Sequence, residues 1–163
     1  MHLLTGATGY VGGRLLRRLE RDGLSVRCLC RRPETLRGRT APGTELVQGD
    51  LLEPESLGAA FSGVDTAFYL VHSMNGGEEF EADERKSAEN FAREAQAAGV
   101  QRIIYLGGLG QGAALSAHMR RRPETATLLR PRCVPVIDCP PSIVHGSGRA
   151  SLEMLRALVR RLP

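Results

Sequence analysis

Several residue types and sequence features are scarce or missing in this chain. It has no tryptophan, and aromatic residues make up only 4% of its 163 residues. We therefore expect a core of leucine, valine, isoleucine and alanine, which the apolar fraction of 42% can supply. Lys86 is the single lysine, so the net charge of +4 comes from arginine. No segment approaches the roughly 18 consecutive apolar residues of a membrane-spanning helix, so we expect no membrane contact.

Cysteine is also scarce, with four residues at positions 28, 30, 133 and 139. Neither Cys28 and Cys30 nor Cys133 and Cys139 have the two-residue spacing of common zinc sites, so we expect free thiols and no metal. No signal-peptide pattern precedes the first apolar segment. We therefore expect a reducing, cytoplasmic compartment.

The excess of arginine can indicate a nucleic-acid or phosphate partner. No helix-turn-helix, zinc-finger or stacking-aromatic pattern accompanies it, so we expect no nucleic-acid binding. The length is that of one domain, and no repeat or linker divides the chain. We therefore expect a single domain over residues 1–163.

Strand-like and helix-like segments alternate along the whole chain. The predicted strands are His2–Thr5, Leu24–Cys30, Glu45–Gln48, Asp65–Val71, Arg102–Leu106 and Val134–Asp138, and the predicted helices are Val11–Arg21, Pro54–Phe61, Glu78–Ala98, Ala113–Arg130 and Ser151–Leu162. Such alternation is typical of a doubly wound α/β fold of the Rossmann type, a parallel sheet with helices on both faces. We expect about six strands in the order 3-2-1-4-5-6.

The strongest motif is the segment Thr5–Gly13, which follows the first strand. Gly6, Gly9 and Gly12 have the spacing G-x-x-G-x-x-G of a dinucleotide-binding turn. The first glycine permits a tight exit from the strand, the second lets backbone approach a pyrophosphate, and the third allows close helix–sheet packing. The helix then offers free N–H groups and a positive dipole end to the phosphates. The alternative is an ordinary glycine-rich turn without a ligand.

Two further positions concern the adenosine half of such a ligand. An NAD-selective site places an acid after the second strand, where it accepts from the ribose 2′-hydroxyl. Here that place holds Arg31 and Arg32, and the first acid is Glu34. A guanidinium pairs with a 2′-phosphate that a carboxylate would repel, so the sequence favours NADP, with NAD as the alternative. Asp50, after the third strand, either accepts from the adenine amino group or lies at the start of the helix that follows.

Motifs along the whole chain resemble the atypical, extended branch of the short-chain dehydrogenase/reductase superfamily, near the NmrA-like NAD(P)H-binding proteins. They are Thr5–Gly13, Arg31–Pro33, Gly49–Leu51, Tyr69–Met74, Asn90–Gly108 and Ser142–Gly148. The resemblance implies a pyrophosphate site, a 2′-phosphate site, an adenine site and a ribose site. Their residues are, in that order, Gly6, Ala7, Thr8, Gly9, Tyr10, Val11 and Gly12; Arg31 or Arg32; Asp50 and Leu51; and Leu70, Val71 and His72.

A catalytic member of this superfamily carries a Tyr-x-x-x-Lys pair on the helix after the fifth strand and a serine or threonine at the end of that strand. Here the strand ends in Gly107 and Gly108, without a hydroxyl. His118 and Arg122 have the same spacing as the missing pair, and histidine can act as a general acid near neutral pH. The alternative is a solvated basic helix face. His72, at a strand end, is a further candidate catalytic residue.

Two functions follow from these observations. The first is an NAD(P)-dependent oxidoreductase or its cofactor domain, in which the cofactor carries the chemistry and the protein orients it against a small-molecule substrate. Extended members build their substrate pocket from a C-terminal lobe, which we expect this chain to lack. The second is a non-catalytic NADP(H) sensor or interaction module of the NmrA kind, which the missing Tyr-Lys pair favours. A homodimer, or another protein that completes the site, is compatible with both.

Overall fold

A computed structural model describes residues 1–71, 78–107, 125–130, 134–139 and 146. Within these residues one sheet contains six parallel strands, in the order β3-β2-β1-β4-β5-β6. The strands are β1 His2–Thr5, β2 Val26–Cys30, β3 Glu45–Gln48, β4 Thr66–Tyr69, β5 Arg102–Tyr105 and β6 Val136–Asp138. The predicted fold class and strand order are therefore confirmed. The direction of the strand order reverses between β1 and β4, and ligands of such sheets bind at this switch point.

The described helices connect these strands as the alternation predicted. They are α1 Tyr10–Arg21, α2 Gly58–Phe61 and α3 Glu78–Ala97, with 3-10 turns at Pro33–Thr35 and Pro54–Ser56 and a helical turn at residues 125–128. The predicted helix Pro54–Phe61 is thus divided into a 3-10 turn and a short α-helix. The predicted helix Ser151–Leu162, and residues 113–124 of the predicted Ala113–Arg130, lie outside the described residues.

Helices cover both faces of the sheet, and each face has its own core. On one face α1 packs its buried Leu16 and Leu19 against Leu4, Val26 and other strand residues. On the other face α2 and α3 pack against β4 and β5. Both cores are needed because parallel strands with short buried runs leave apolar side chains on each side of the sheet.

The core on the α3 face contains a cluster of aromatic rings. Phe91 of α3 makes edge-to-face contacts with Phe61 and Tyr69, in each case with ring centroids 5.0 Å apart. The ring of Tyr105 lies 6.0 Å from that of Tyr69. All four residues are at most 1% exposed. The other buried residues of this core are leucine, valine, isoleucine and alanine, as predicted, and the four rings are gathered in one place among them.

The buried thiol of Cys28 and the exposed thiol of Cys139 are expected to differ in reactivity. Cys28 is fully buried, and burial, with a smaller contribution from the nearby Cys30, raises its pKa to about 12. Cys139 is exposed. We expect iodoacetamide to label Cys139 in the folded protein and to reach Cys28 only after denaturation, because the thiolate is the reactive form. Mildly alkaline pH should leave Cys28 unlabelled, since burial raises its pKa and keeps the thiol protonated there.

Peptide mass spectrometry over a labelling time course measures both rates. Labelling of Cys28 in the native protein at a rate similar to that of Cys139 would contradict the packing of β2. The same time course in denaturant is the control, because both cysteines should then react equally.

Among the described residues, none of the helices has the length and apolar content to cross a membrane.

Candidate dinucleotide site

The carboxyl ends of β1 and β4 are joined by a buried hydroxyl. Thr5, which is 1% exposed, donates from Oγ1 to the carbonyl oxygen of Phe68 at 2.9 Å and accepts from the amide of Leu70 at 3.2 Å. These bonds replace backbone pairing at the point where β1 ends. Thr5 therefore holds the two strand ends together at the switch point, where a ligand is expected.

The glycine turn after Thr5 brings backbone segments closer than any other residue type would allow. Gly6 has a φ of +71°, and a Cβ there would lie 2.8 Å from the carbonyl oxygen of Leu70. A Cβ on Gly12 would overlap the carbonyl oxygen of Gly6 and lie 2.7 Å from its carbonyl carbon. The first turn of α1 thus lies directly against the exit of β1. This geometry matches the packing roles that the spacing predicted for Gly6 and Gly12.

The N-terminus of α1 has no cap from its own side chains. Gly9 is the N-cap residue, no side chain among the described residues caps this helix end, and the first turn contains no acid. The amide of Gly13 is the first that closes a helical turn, onto the carbonyl oxygen of Gly9 at 2.9 Å. Thr8 and Gly9 are exposed. The turn therefore presents amides and the positive end of the helix dipole to an anion, and a pyrophosphate fits it.

The other predicted residues of the turn differ in what they can contribute. Ala7 is 3% exposed and packs in the core beneath α1, so only its backbone faces the turn. Tyr10 and Val11 are partly buried. The guanidinium of Arg14 lies 4.7 Å from the centre of the Tyr10 ring. Arg14 was not among the predicted site residues, although its spacing four residues after Tyr10 is the signal that could have indicated this positive charge near the turn.

A residue far along the chain also reaches this turn. Gly146 lies against Tyr10, and a Cβ on Gly146 would overlap the tyrosine hydroxyl. Gly146 belongs to the segment Ser142–Gly148, which the family resemblance included. Any larger residue at position 146 would therefore require the Tyr10 side chain to move.

The end of β2 presents two arginines. Arg31 and Arg32 are exposed, and within the described ranges neither guanidinium makes a hydrogen bond or an ion pair. Their backbone is held, because the carbonyl oxygen of Arg32 accepts from the hydroxyl of Thr35 at 2.7 Å and that of Arg31 accepts from Gln48 at 3.4 Å. The main chain is thus fixed while both charges remain available to an anion.

The loop after β3, which is predicted to contact adenine, is held by local hydrogen bonds. Oδ1 of Asp50 accepts from the amide of Leu52 at 3.0 Å, and the hydroxyl of Ser56 accepts from the amide of Asp50 at 2.9 Å. The helical turn that follows begins at Pro54 with Glu53 as its N-cap, so Asp50 does not lie at its start. Asp50 instead closes a local turn with Leu52, and its Oδ1 is already engaged. The side-chain amide of Asn90 on α3 donates from Nδ2 to the carbonyl oxygen of Leu51 at 2.7 Å.

Asn90 is a functional candidate that the sequence analysis missed. It is 4% exposed, and its Oδ1 accepts from Arg93 at 2.8 Å. A buried asparagine in the middle of a long helix is an unusual choice, and this was the signal for a specific partner. The structure supplies that partner in the loop after β3, 39 residues away in sequence.

The end of β4 completes the described part of the site. Leu70 and Val71 are partly buried and follow β4 beside Gly6. His72, predicted to contact the ribose or to act in catalysis, lies outside the described residues. So do His118 and Arg122, and the catalytic assignments therefore stay predictions.

Comparisons with known proteins agree with this geometry. A family model described as NAD(P)H-binding matches residues 6–131. The 3 beta-hydroxysteroid dehydrogenase/Delta 5-->4-isomerase of Mycobacterium tuberculosis is 33% identical over 113 residues, which are 63% of this chain and 30% of that protein. The NAD(P)H azoreductase of Xenophilus azovorans is 30% identical over 110 residues, 68% of this chain and 36% of that protein. This chain thus spans about a third of the length of these two relatives.

Solved structures show the same fold. The triphenylmethane reductase of Citrobacter sp., complexed with NADP(H), superposes with a TM-score of 0.80 at 22% identity, covering 98% of this chain and 54% of that one. A nucleoside-diphosphate-sugar epimerase of Staphylococcus aureus gives a TM-score of 0.63 at 25% identity, covering 78% of this chain and 45% of that one. The family match extends over most of the chain and confirms the resemblance that the motifs predicted, so this protein belongs to the NAD(P)H-binding family of the atypical short-chain dehydrogenase/reductase type.

Proposed function

We propose that this chain is the NADP(H)-binding domain of an oxidoreductase. The observation that carries the choice of NADP(H) is the pair of exposed guanidinium groups at Arg31 and Arg32, with no partner among the described residues and no acid before Glu34. A 2′-phosphate offers two arginines the charge-assisted, bidentate bonds that a ribose hydroxyl cannot.

The remaining contacts divide the cofactor among the strand ends. The turn from Gly6 to Gly12 binds the pyrophosphate through backbone amides, and the loop at Asp50 and Leu51 borders the adenine. Because Oδ1 of Asp50 is engaged by Leu52, the second carboxylate oxygen is the one left for the adenine amino group. Leu70 and Val71 line the ribose of the nicotinamide half of the cofactor. When bound, the cofactor supplies hydride transfer, and the chain's own residues bind it and hold it at the sheet edge.

We infer the reaction class from the names of the relatives. They are named as a hydroxysteroid dehydrogenase, an azoreductase and, over 98% of this chain at 26% identity, a ceramide reductase of Caulobacter vibrioides. These names support dehydrogenase or reductase chemistry on a small-molecule substrate held beside the nicotinamide. Fold alone does not specify an activity, so the proposal depends on the site and on these relatives together.

A specific observation favours a second function, a non-catalytic NADP(H) sensor. The end of β5 is followed by Leu106, Gly107 and Gly108, which carry no hydroxyl, and the single lysine, Lys86, lies on α3. The usual proton-transfer pair is therefore absent from its usual place. A sensor would bind NADPH with the same residues but would not oxidise it, whatever substrate is offered.

The test is a parallel titration of the purified chain with NADPH and NADH, followed by the fluorescence of the reduced nicotinamide. We expect NADPH to bind more tightly than NADH by about a hundredfold or more, because a 2′-phosphate can take one charge-assisted hydrogen bond from each guanidinium. Failure of both cofactors to bind would overturn the proposal, and equal affinities would overturn the choice of NADP(H). Oxidation of bound NADPH by an azo dye or a keto steroid would then separate the enzyme from the sensor.

A further inference from the structure

The ends of β5 and β6 hold a carboxylate for which the contacts described so far give no role. Asp138 is the last residue of β6 and lies in register with Tyr105, the last residue of β5. Its Oδ1 is buried and has no hydrogen-bond partner in the part of the chain that the structure describes. A buried acceptor without a partner costs free energy. At the ligand-binding edge of the sheet, such an atom indicates a ligand that brings a donor.

Gly107 makes the space that this carboxylate occupies. A Cβ on Gly107 would overlap Oδ1 of Asp138 and would lie 3.2 Å from Cε1 of Tyr105. Any larger residue at position 107 would therefore displace the carboxylate. The end of β5 has no hydroxyl of its own. The place that a side chain at position 107 would occupy is filled by the carboxylate of Asp138 from β6.

The strand order indicates which half of a dinucleotide comes to this place. Arg31 and Asp50 follow β2 and β3, on one side of the switch point, whereas Gly107 and Asp138 lie at the ends of β5 and β6 on the other side. A dinucleotide with its pyrophosphate at the turn after β1 and its adenosine over β2 and β3 extends its nicotinamide half over β4, β5 and β6. An ionised carboxylate accepts hydrogen bonds and donates none. The hydrogen-bond donor on a nicotinamide ring is its carboxamide N–H.

We propose that Oδ1 of Asp138 accepts a hydrogen bond from the nicotinamide carboxamide and so holds the ring in one orientation at the ends of β5 and β6. This inference rests on the proposed function, because it requires the cofactor. It adds a specificity-determining residue to the nicotinamide half of the site. It also gives Gly107 a role, which is to leave the carboxylate its place.

Three ligands test the contact by isothermal titration calorimetry on the whole chain. They are NADP⁺, its 3-acetylpyridine analogue, in which a methyl group replaces the carboxamide nitrogen, and 2′-phospho-ADP-ribose, which has no nicotinamide ring. We expect the unmodified chain to prefer NADP⁺ over the analogue by about tenfold to a hundredfold, the range of one hydrogen bond to a charged group.

Two substitutions of Asp138 then separate its role as an acceptor from its role in packing. Asp138→Leu keeps the size and removes the acceptor, so it should bind NADP⁺ and the analogue equally. Asp138→Asn keeps an acceptor oxygen and should retain part of the preference. Both variants should bind 2′-phospho-ADP-ribose as the unmodified chain does, which shows that the turn is intact.

Gly107→Ala tests the same contact by another route, because it keeps Asp138 but displaces its carboxylate. It should also abolish the preference for NADP⁺. The inference is overturned if the unmodified chain binds NADP⁺ and the analogue equally, or if Asp138→Leu keeps the preference. In those cases normal binding of 2′-phospho-ADP-ribose would still support the proposed cofactor site. Failure of all three ligands to bind would instead overturn the proposed function, and this inference with it.

Discussion

Replacing Arg31 and Arg32 together by alanine is expected to weaken NADPH binding by about a hundredfold or more while NADH binding stays within about twofold. Each hydrogen bond to a charged group contributes roughly 1.5–3 kcal/mol, and a 2′-phosphate can take one from each guanidinium. NADH has no 2′-phosphate and loses only a weak long-range attraction. Parallel titrations of the two cofactors measure both affinities.

Arg17→Ala is a control for the loss of a positive charge away from the site. Arg17 is exposed on α1, so its removal alters the net charge without touching the end of β2. We expect it to leave the affinity for NADPH and the preference over NADH unchanged. Raising the salt concentration should weaken NADPH binding to the unmodified chain, because exposed charge pairs are screened. A double arginine variant with the original preference for NADPH would place the 2′-phosphate elsewhere.

Gly12→Ala is expected to abolish binding of both cofactors and to lower the thermal unfolding midpoint strongly. The added Cβ overlaps the carbonyl oxygen of Gly6 and meets backbone rather than a flexible side chain, with the Cα of Ala7 at 3.1 Å. Backbone cannot move aside without separating α1 from β1. Overpacking of this kind costs about 1–3 kcal/mol or more, and it displaces the amides that face the pyrophosphate. Thermal melts with and without NADPH measure both effects.

Gly43→Ala is the matched control for this substitution. No atom lies within 4 Å of a Cβ built on Gly43, and its φ is not positive. We expect an unchanged or slightly raised midpoint, since alanine reduces the freedom of the unfolded chain. The same shift of the midpoint by NADPH in Gly12→Ala and in the unmodified protein would contradict the role of the turn.

The sequence was sufficient where a structure is specified by neighbouring residues. The bounds of β1 and β3 were predicted to the residue, and α1 and α3 differed by one residue at one end. Such segments are recognisable because apolar periodicity and helix-ending glycines act within a few residues. The glycine spacing of the turn belongs to the same class, since a positive φ at Gly6 is a local requirement.

The sequence was insufficient where a side chain has two possible partners. The sequence leaves open whether Asp50 accepts a hydrogen bond from adenine or from its own loop. In the structure its Oδ1 accepts from the amide of Leu52. The composition predicted an aliphatic core, and the folded chain places Tyr69, Phe91 and Tyr105 together. Neither outcome follows from local pattern, because each depends on which competing contact the complete fold makes available.

The sequence by itself determined the alternation of strands and helices, the strand order expected from it, the glycine turn after β1 and the arginines that stand where an acid would follow β2. Only the tertiary structure decided that Thr5 joins β1 to β4, that Asn90 holds Leu51 and that Asp138 fills the space above Gly107. The physical reason is distance along the chain. Periodicity and glycine spacing encode interactions between near neighbours, whereas these three contacts join residues tens of positions apart, and they exist only once the sheet has brought the strand ends together.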